Sequence, residues 1–180
     1  MRWEGPAGYW ASDDASLLDL DKVHGWISRE SYWAAGRSRE VMARSIEHSL
    51  VLGLYASDDV QAGFARMVTD RATFGWLCDV FVAAEHRAKR VGTFLVRTAV
   101  EHPDVAGIRQ LLMATPGRSL YRRHGFGDLL RPERWMERPG SMTNGEGAMQ
   151  IPDGAVATRI TRGQIATPDT YSEGTASGDT

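Results

Sequence analysis

Arg87-Ala88-Lys89-Arg90-Val91-Gly92-Thr93 sets three cations and a glycine between an apolar run ending at Val82 and a helical pattern beginning near Val91. A helix N-terminus presents unpaired backbone N–H groups and a partial positive charge, so a turn ahead of it can wrap amides around a phosphate or pyrophosphate. Arg87, Lys89 and Arg90 would add positive charge, and Gly92 offers close approach and access to positive φ. The competing reading is a solvated basic turn that merely opens a surface helix. Upstream, Asp79 lies inside the apolar run Trp76 to Val82. A carboxylate there is costly unless it is paired or faces a cleft, so a structural ion pair competes with a chemical role. Nothing beside Cys78 suggests a relay for covalent catalysis. None of His24, His48, His86, His102 and His124 pairs in a His-Glu-x-x-His pattern, so no metal is implied.

Residues in this order need particular elements to position them. Asp21 is expected to cap a helix with Val23, Trp26 and Ile27 on one face, and Ser38 another carrying Met42 and Ile46. Ser31 to Arg37 reads as a loop bearing Tyr32 and Trp33, two aromatics that could equally pack on the neighbouring helices. Leu50–Tyr55, Val60–Val68 and Phe74–Val82 are strand-like runs separated by Ser57-Asp58-Asp59 and Thr69-Asp70-Arg71, an antiparallel meander. Val91, Phe94, Leu95, Thr98 and Ala99 recur at helical spacing before Pro103. Gln110 to Ala114 forms another short strand. Ser119 opens a short helix through His124, and Gly125 falls where a left-handed cap belongs. Trp135 and Met136 are assigned to a last strand. The order is helix, helix, three strands, helix, strand, helix, strand: mixed α+β.

The chain has 180 residues, 42% of them apolar and 24% charged, which fits one soluble globular core. Residues 139–180, rich in Gly, Thr, Ser and Asp, are expected to be a flexible low-complexity tail behind a domain spanning 1–138. A net charge of -2 provides no broad basic field, so neither nucleic acid nor anionic lipid is expected as a partner. One cysteine excludes an internal disulfide, and no run has the length or character of a membrane span or secretory signal. A soluble cytoplasmic protein is the expectation.

Arg87 through Gly92 resembles, in register, the Q/R-x-x-G-x-G/A pattern of the GNAT superfamily of acetyl-CoA-dependent N-acetyltransferases. Asp79 to His86 is similar to the strand and loop that lead into that motif. Leu120-Tyr121-Arg122-Arg123-His124-Gly125-Phe126 resembles the family's Y-x-x-x-G-F signature, and the likeness runs from about Tyr9 to Glu137. Three positions depart from the pattern: Arg90 stands at the first motif glycine, Ala84 at a frequent proline and Ala114 at a frequent asparagine. If position 90 requires positive φ, a non-glycine residue costs on the order of 1 kcal/mol, which a guanidinium near phosphate can offset.

The resemblance implies a GNAT-type acyl-CoA N-acyltransferase fold, a mostly antiparallel central sheet flanked by helices. It implies acetyl-CoA as co-substrate, without a metal, held by Val80, Phe81 and Val82 along pantetheine. Arg87, Ala88, Lys89, Arg90, Val91, Gly92 and Thr93 would hold its pyrophosphate. The acceptor would be the primary amine of a small molecule attacking directly in a ternary complex. An alkyl amine must lose a proton to attack, so Asp79 is the expected base, with Glu85 second. Tyr121 is the expected acid for the departing thiolate. Trp26, Glu30, Tyr32 and Trp33 are expected to receive a small cationic amine. A homodimer follows from analogy with the family. The alternatives are a non-catalytic acyl-CoA sensor or regulatory module, and an interaction module anchored by Trp26, Tyr32 and Trp33.

Overall fold

The computed structural model describes residues 1–108, 110–112 and 118–136. The expected tail and the departure at Ala114 lie outside the described residues. All described residues belong to one of two compact units, Met1–Met149.

Six strands form one sheet in chain order: β1 (Arg2–Glu4), β2 (Trp10–Ser12), β3 (Leu50–Tyr55), β4 (Gln61–Thr69), β5 (Phe74–Val82) and β6 (Gln110–Leu112). The first five pair antiparallel, while β6 runs parallel to β5. A parallel neighbour requires a crossover, which α3 (Val91–Val100) supplies. The other helices are α1 (Leu20–Gly25), prolonged by a π turn over Trp26–Glu30, α2 (Arg39–Glu47) and the short α4 (Arg118–Arg122).

The helices bury the sheet from both faces. Alternate residues Leu50, Leu52 and Leu54 of β3 join Met67, Leu77, Phe94, Leu95 and Ala99 in a core beneath α3. Val51, Phe64 and Phe81 point the other way, onto Val23, Trp26, Ile27 and Met42. All six residues of β3 are consequently buried. The hairpin β1–β2 is fastened to the far end of α3, where His102 Nε2–H donates to Asp13 Oδ2 over 3.1 Å and His102 Nδ1 accepts from the Asp104 amide. The amino group of Met1 also pairs with Asp13.

Several expectations shift. Asp19, not Asp21, caps α1, accepting from the Lys22 amide at 3.0 Å, whereas Asp21 turns outward to Arg39. Ser38 caps α2 as anticipated, accepting from the Val41 amide. The short α4 starts before Ser119, and Gly125 after it has φ +83°. Trp135 and Met136 are not in a strand; a 3₁₀ turn at Pro132–Arg134 precedes them.

Candidate active site

The register of β4 and β5 carries the first element of the site. Phe64 opposes Phe81 and Arg66 opposes Cys78, so β5 holds one residue more than β4 between these pairs. That bulge centres on Asp79, whose φ is +51°. Asp is among the few residues that tolerate the left-handed region, because its short side chain bonds locally. On its other edge, β5 pairs with the described part of β6 only at Phe74–Trp76.

The basic turn follows. Ala88 (φ +63°) and Arg90 (φ +61°) are both left-handed, and Arg90 is the N-cap of α3 with no side chain capping the helix. Positive φ therefore falls on these two residues and not on Gly92, which is helical. A Cβ added at Gly92 would meet nothing nearer than Val82 Cγ2 at 3.9 Å, so space lies open over the first turn. Arg87, Ala88, Lys89 and Arg90 are all exposed. Uncapped N–H groups, open space and cations together fit a pyrophosphate.

Buried Tyr9 supports this turn from β2's side of the sheet. Its hydroxyl contacts His86 Nδ1 at 2.8 Å and accepts from Lys89 Nζ at 3.3 Å. Arg87 Nε donates to the Val82 carbonyl at 2.9 Å. The Phe81 carbonyl lies toward Gly63 of β4, 2.6 Å from where a Cβ would stand. Of the backbone groups expected to face pantetheine, one carbonyl is thus engaged by Arg87 and one is turned to β4. Val80 stands within the bulge itself.

Asp79 is 5% exposed. Its Oδ2 accepts from Arg37 Nη1 at 2.6 Å, from Arg66 Nε at 2.9 Å, and pairs with Arg66 Nη2 at 2.9 Å. Both guanidiniums converge on this one oxygen, which places Asp79 in a buried ion-paired cluster with two arginines. Glu85 is exposed and 3.9 Å from His86 Nε2, on the turn beside the expected pyrophosphate.

The acceptor-side expectations divide. Trp26 is 9% exposed and stacks on Phe81 with centroids 5.5 Å apart, which makes it a wall of the core rather than a ligand surface. Tyr32 is 61% exposed and Trp33 36%, packed edge to face at 5.2 Å. Glu30 is exposed at the end of the π turn. Tyr121 is half-buried against Phe126, and its phenol is held above its ordinary pKa by burial and, secondarily, by the nearby Tyr32. The two tyrosines, far apart in the chain, thus share one neighbourhood. Burial pushes the Cys78 thiol up to about 11, which leaves it without nucleophilic thiolate at neutral pH.

Sequence reasoning missed Tyr9, Arg37 and Arg66. A signal existed for Arg66, a cation at an inward position of an apolar strand, which calls for a buried anion. Among the described residues no group of three His, Cys, Asp or Glu side chains gathers as a metal site, and no helix is long and apolar enough to cross a membrane.

The α+β fold, a mostly antiparallel sheet flanked by helices, is that of GNAT acetyltransferases. A family model for the acetyltransferase (GNAT) domain matches residues 47–127. A candidate GNAT-family acetyltransferase from Xanthomonas campestris pv. campestris is 38% identical, covering 76% of this chain and 96% of its own, with a TM-score of 0.72. A candidate acetyltransferase of Gibberella zeae is 26% identical over 78% of this chain and 91% of its own length. A Mycobacterium tuberculosis protein crystallised in complex with CoA shares the fold at 12% identity, with a TM-score of 0.56 over 66% of this chain and 72% of that one. This chain belongs to the GNAT acetyltransferase family.

Proposed function

We propose that the protein is an N-acetyltransferase that uses acetyl-CoA to acetylate the primary amine of a small molecule, within a ternary complex. The observation that carries the cofactor half is the uncapped N-terminus of α3 behind Ala88 and Arg90, with open space at Gly92. Bound there, acetyl-CoA supplies an activated acetyl group as a thioester.

The chain's own residues then position and protonate. Backbone amides at Val91, Gly92 and Thr93, with Lys89 and Arg90, hold the pyrophosphate, while Tyr9 and His86 brace the turn. The edge of β5 beyond Trp76 aligns the acyl chain, and holding both reactants converts attack into an effectively unimolecular step. Tyr121 keeps its proton well above neutral pH and donates it, or a hydrogen bond, to the sulfur of the departing thiolate. The exposed aromatics Tyr32 and Trp33 with Glu30 suit an amine that is cationic in solution. Asp79, paired with Arg37 and Arg66, serves as a positioning group, and the ammonium proton leaves through water.

The test incubates the full chain with acetyl-CoA and a panel of primary amines: aromatic alkylamines, polyamines, amino sugars and peptide N-termini. Free thiol and the mass of the amine product are read together. Equal release of CoA and N-acetylated amine supports the proposal. Tight acetyl-CoA binding with no turnover on any amine contradicts it and leaves a CoA-binding sensor.

A further inference from the structure

We infer that Asp79, with Arg37 and Arg66, is a charged latch that fixes the acceptor-side loop Ser31–Arg37 to the bulge of β5, making Asp79 a positioning residue for both halves of the site. The inference deepens the acetyl-transfer reading, on which it rests for the identity of the loop's ligand.

The hydrogen bonds of this loop reveal how it is held. The Ser31 hydroxyl donates to the Ile27 carbonyl, the Gly36 amide to Ser28 at 3.1 Å and the Arg37 amide to Ala34 at 3.1 Å, while His24 Nε2 meets the Arg37 carbonyl at 2.9 Å. Each of these stays within residues 24–37. Among the described residues, Arg37 to Asp79 is the one hydrogen bond from the loop to the sheet, and it spans 42 positions of sequence. The guanidinium also touches Met42 Sδ of α2 at 3.7 Å.

The other arm is fixed. Arg66 rises from β4 and donates from Nη1 to Ser49 Oγ at 3.1 Å, which leaves Nε and Nη2 for Asp79. The carboxylate between them is 2% exposed, against 13% for Arg66 and 22% for Arg37. Loss of the shared anion would leave two facing guanidiniums unpaired, whereas loss of Arg37 would leave the Arg66–Asp79 pair intact. Asp79 is also the residue with φ +51° that forms the bulge. One side chain therefore ties the loop bearing Tyr32 and Trp33 to the strand edge expected to receive the acyl chain.

Hydrogen exchange on the full chain, followed at the Gly36 and Arg37 amides and along α3, tests the latch beside calorimetric titration with acetyl-CoA. Arg37→Met should speed exchange at the loop at least tenfold, leave α3 unchanged and alter the acetyl-CoA Kd less than twofold. Arg37→Lys, which retains the charge, should keep loop exchange within threefold of wild type. Asp79→Asn should free the loop equally and also weaken acetyl-CoA at least fivefold, and Arg37→Met added to it should bring less than a twofold further change. Wild-type exchange in Arg37→Met overturns the latch, as does a rise spread evenly over β4, α3 and the loop. If wild type fails to bind acetyl-CoA, the acetyl-transfer reading falls, while the loop exchange still decides the latch.

Discussion

On one side of the bulge in β5, α3 receives a turn whose backbone is set by two left-handed residues and whose helix is contiguous with strand and turn in sequence. On the other side, the loop from Ser31 to Arg37 is joined to β5 by a side chain 42 positions away. The proposed cofactor side is thus built from local backbone geometry and the proposed acceptor side from long-range side-chain chemistry. A motif can record the first. The second leaves only isolated charges in apolar surroundings, and such charges can diverge while the fold and the cofactor turn stay the same.

Variants on each side should separate these two modes of construction. The largest effect belongs to the shared core: Phe64→Ala, at a fully buried site where β4 meets the acceptor-side helices, should cost about 3–5 kcal/mol by chemical denaturation. A cost near 1 kcal/mol would mean that α1 and α2 pack loosely on the sheet. Next, Tyr121→Phe should lower kcat about 100-fold and leave the acetyl-CoA Kd within twofold. Because burial raises this phenol's pKa, its proton is retained to higher pH than in a free tyrosine, so the alkaline limb of the rate should lie higher than a free tyrosine would place it. A limb at lower pH assigns the acid to another group.

Arg90→Gly sharpens the comparison because its two consequences oppose. Relief of the left-handed backbone should contribute up to about 1 kcal/mol, reduced by the greater freedom of glycine when unfolded, while loss of the guanidinium should weaken acetyl-CoA several-fold. Unchanged affinity would show that Arg90 occupies the turn without touching phosphate. The smallest contrast lies at α1, where Asp19→Ala should cost about 1 kcal/mol through loss of the cap and Asp21→Ala less than about 0.5 kcal/mol, read by thermal unfolding.

Legibility in the sequence followed the same divide. Alternation bounded by turn residues located β3 and β5 to the residue, and serine capping located α2. The resemblance at Arg87–Gly92 singled out Arg90 as the departure from a motif glycine, and that residue is left-handed, whereas the positive φ offered to Gly92 is not used. The strands β1 and β2 escaped notice because three residues each, around Pro6 and Gly8, display no period. Asp19 and Asp21 offer the same cap two positions apart, and only the backbone decides between them. Trp26 was read as ligand surface because a large aromatic at a helical position looks alike whether it meets solvent or, as here, the ring of Phe81. The partners of Asp79 were hidden for a related reason: pairing across three elements has no spacing in the chain.

Whether α3 begins at a pyrophosphate site is decided by calorimetric titration of acetyl-CoA into wild type and Gly92→Asp. The aspartate has room, and near a helix N-terminus it favours folding, so the variant should match or exceed wild-type thermal stability. A pyrophosphate site there gives saturable wild-type binding, weakened at least tenfold in this stably folded variant. Equal affinity in the two proteins would contradict it.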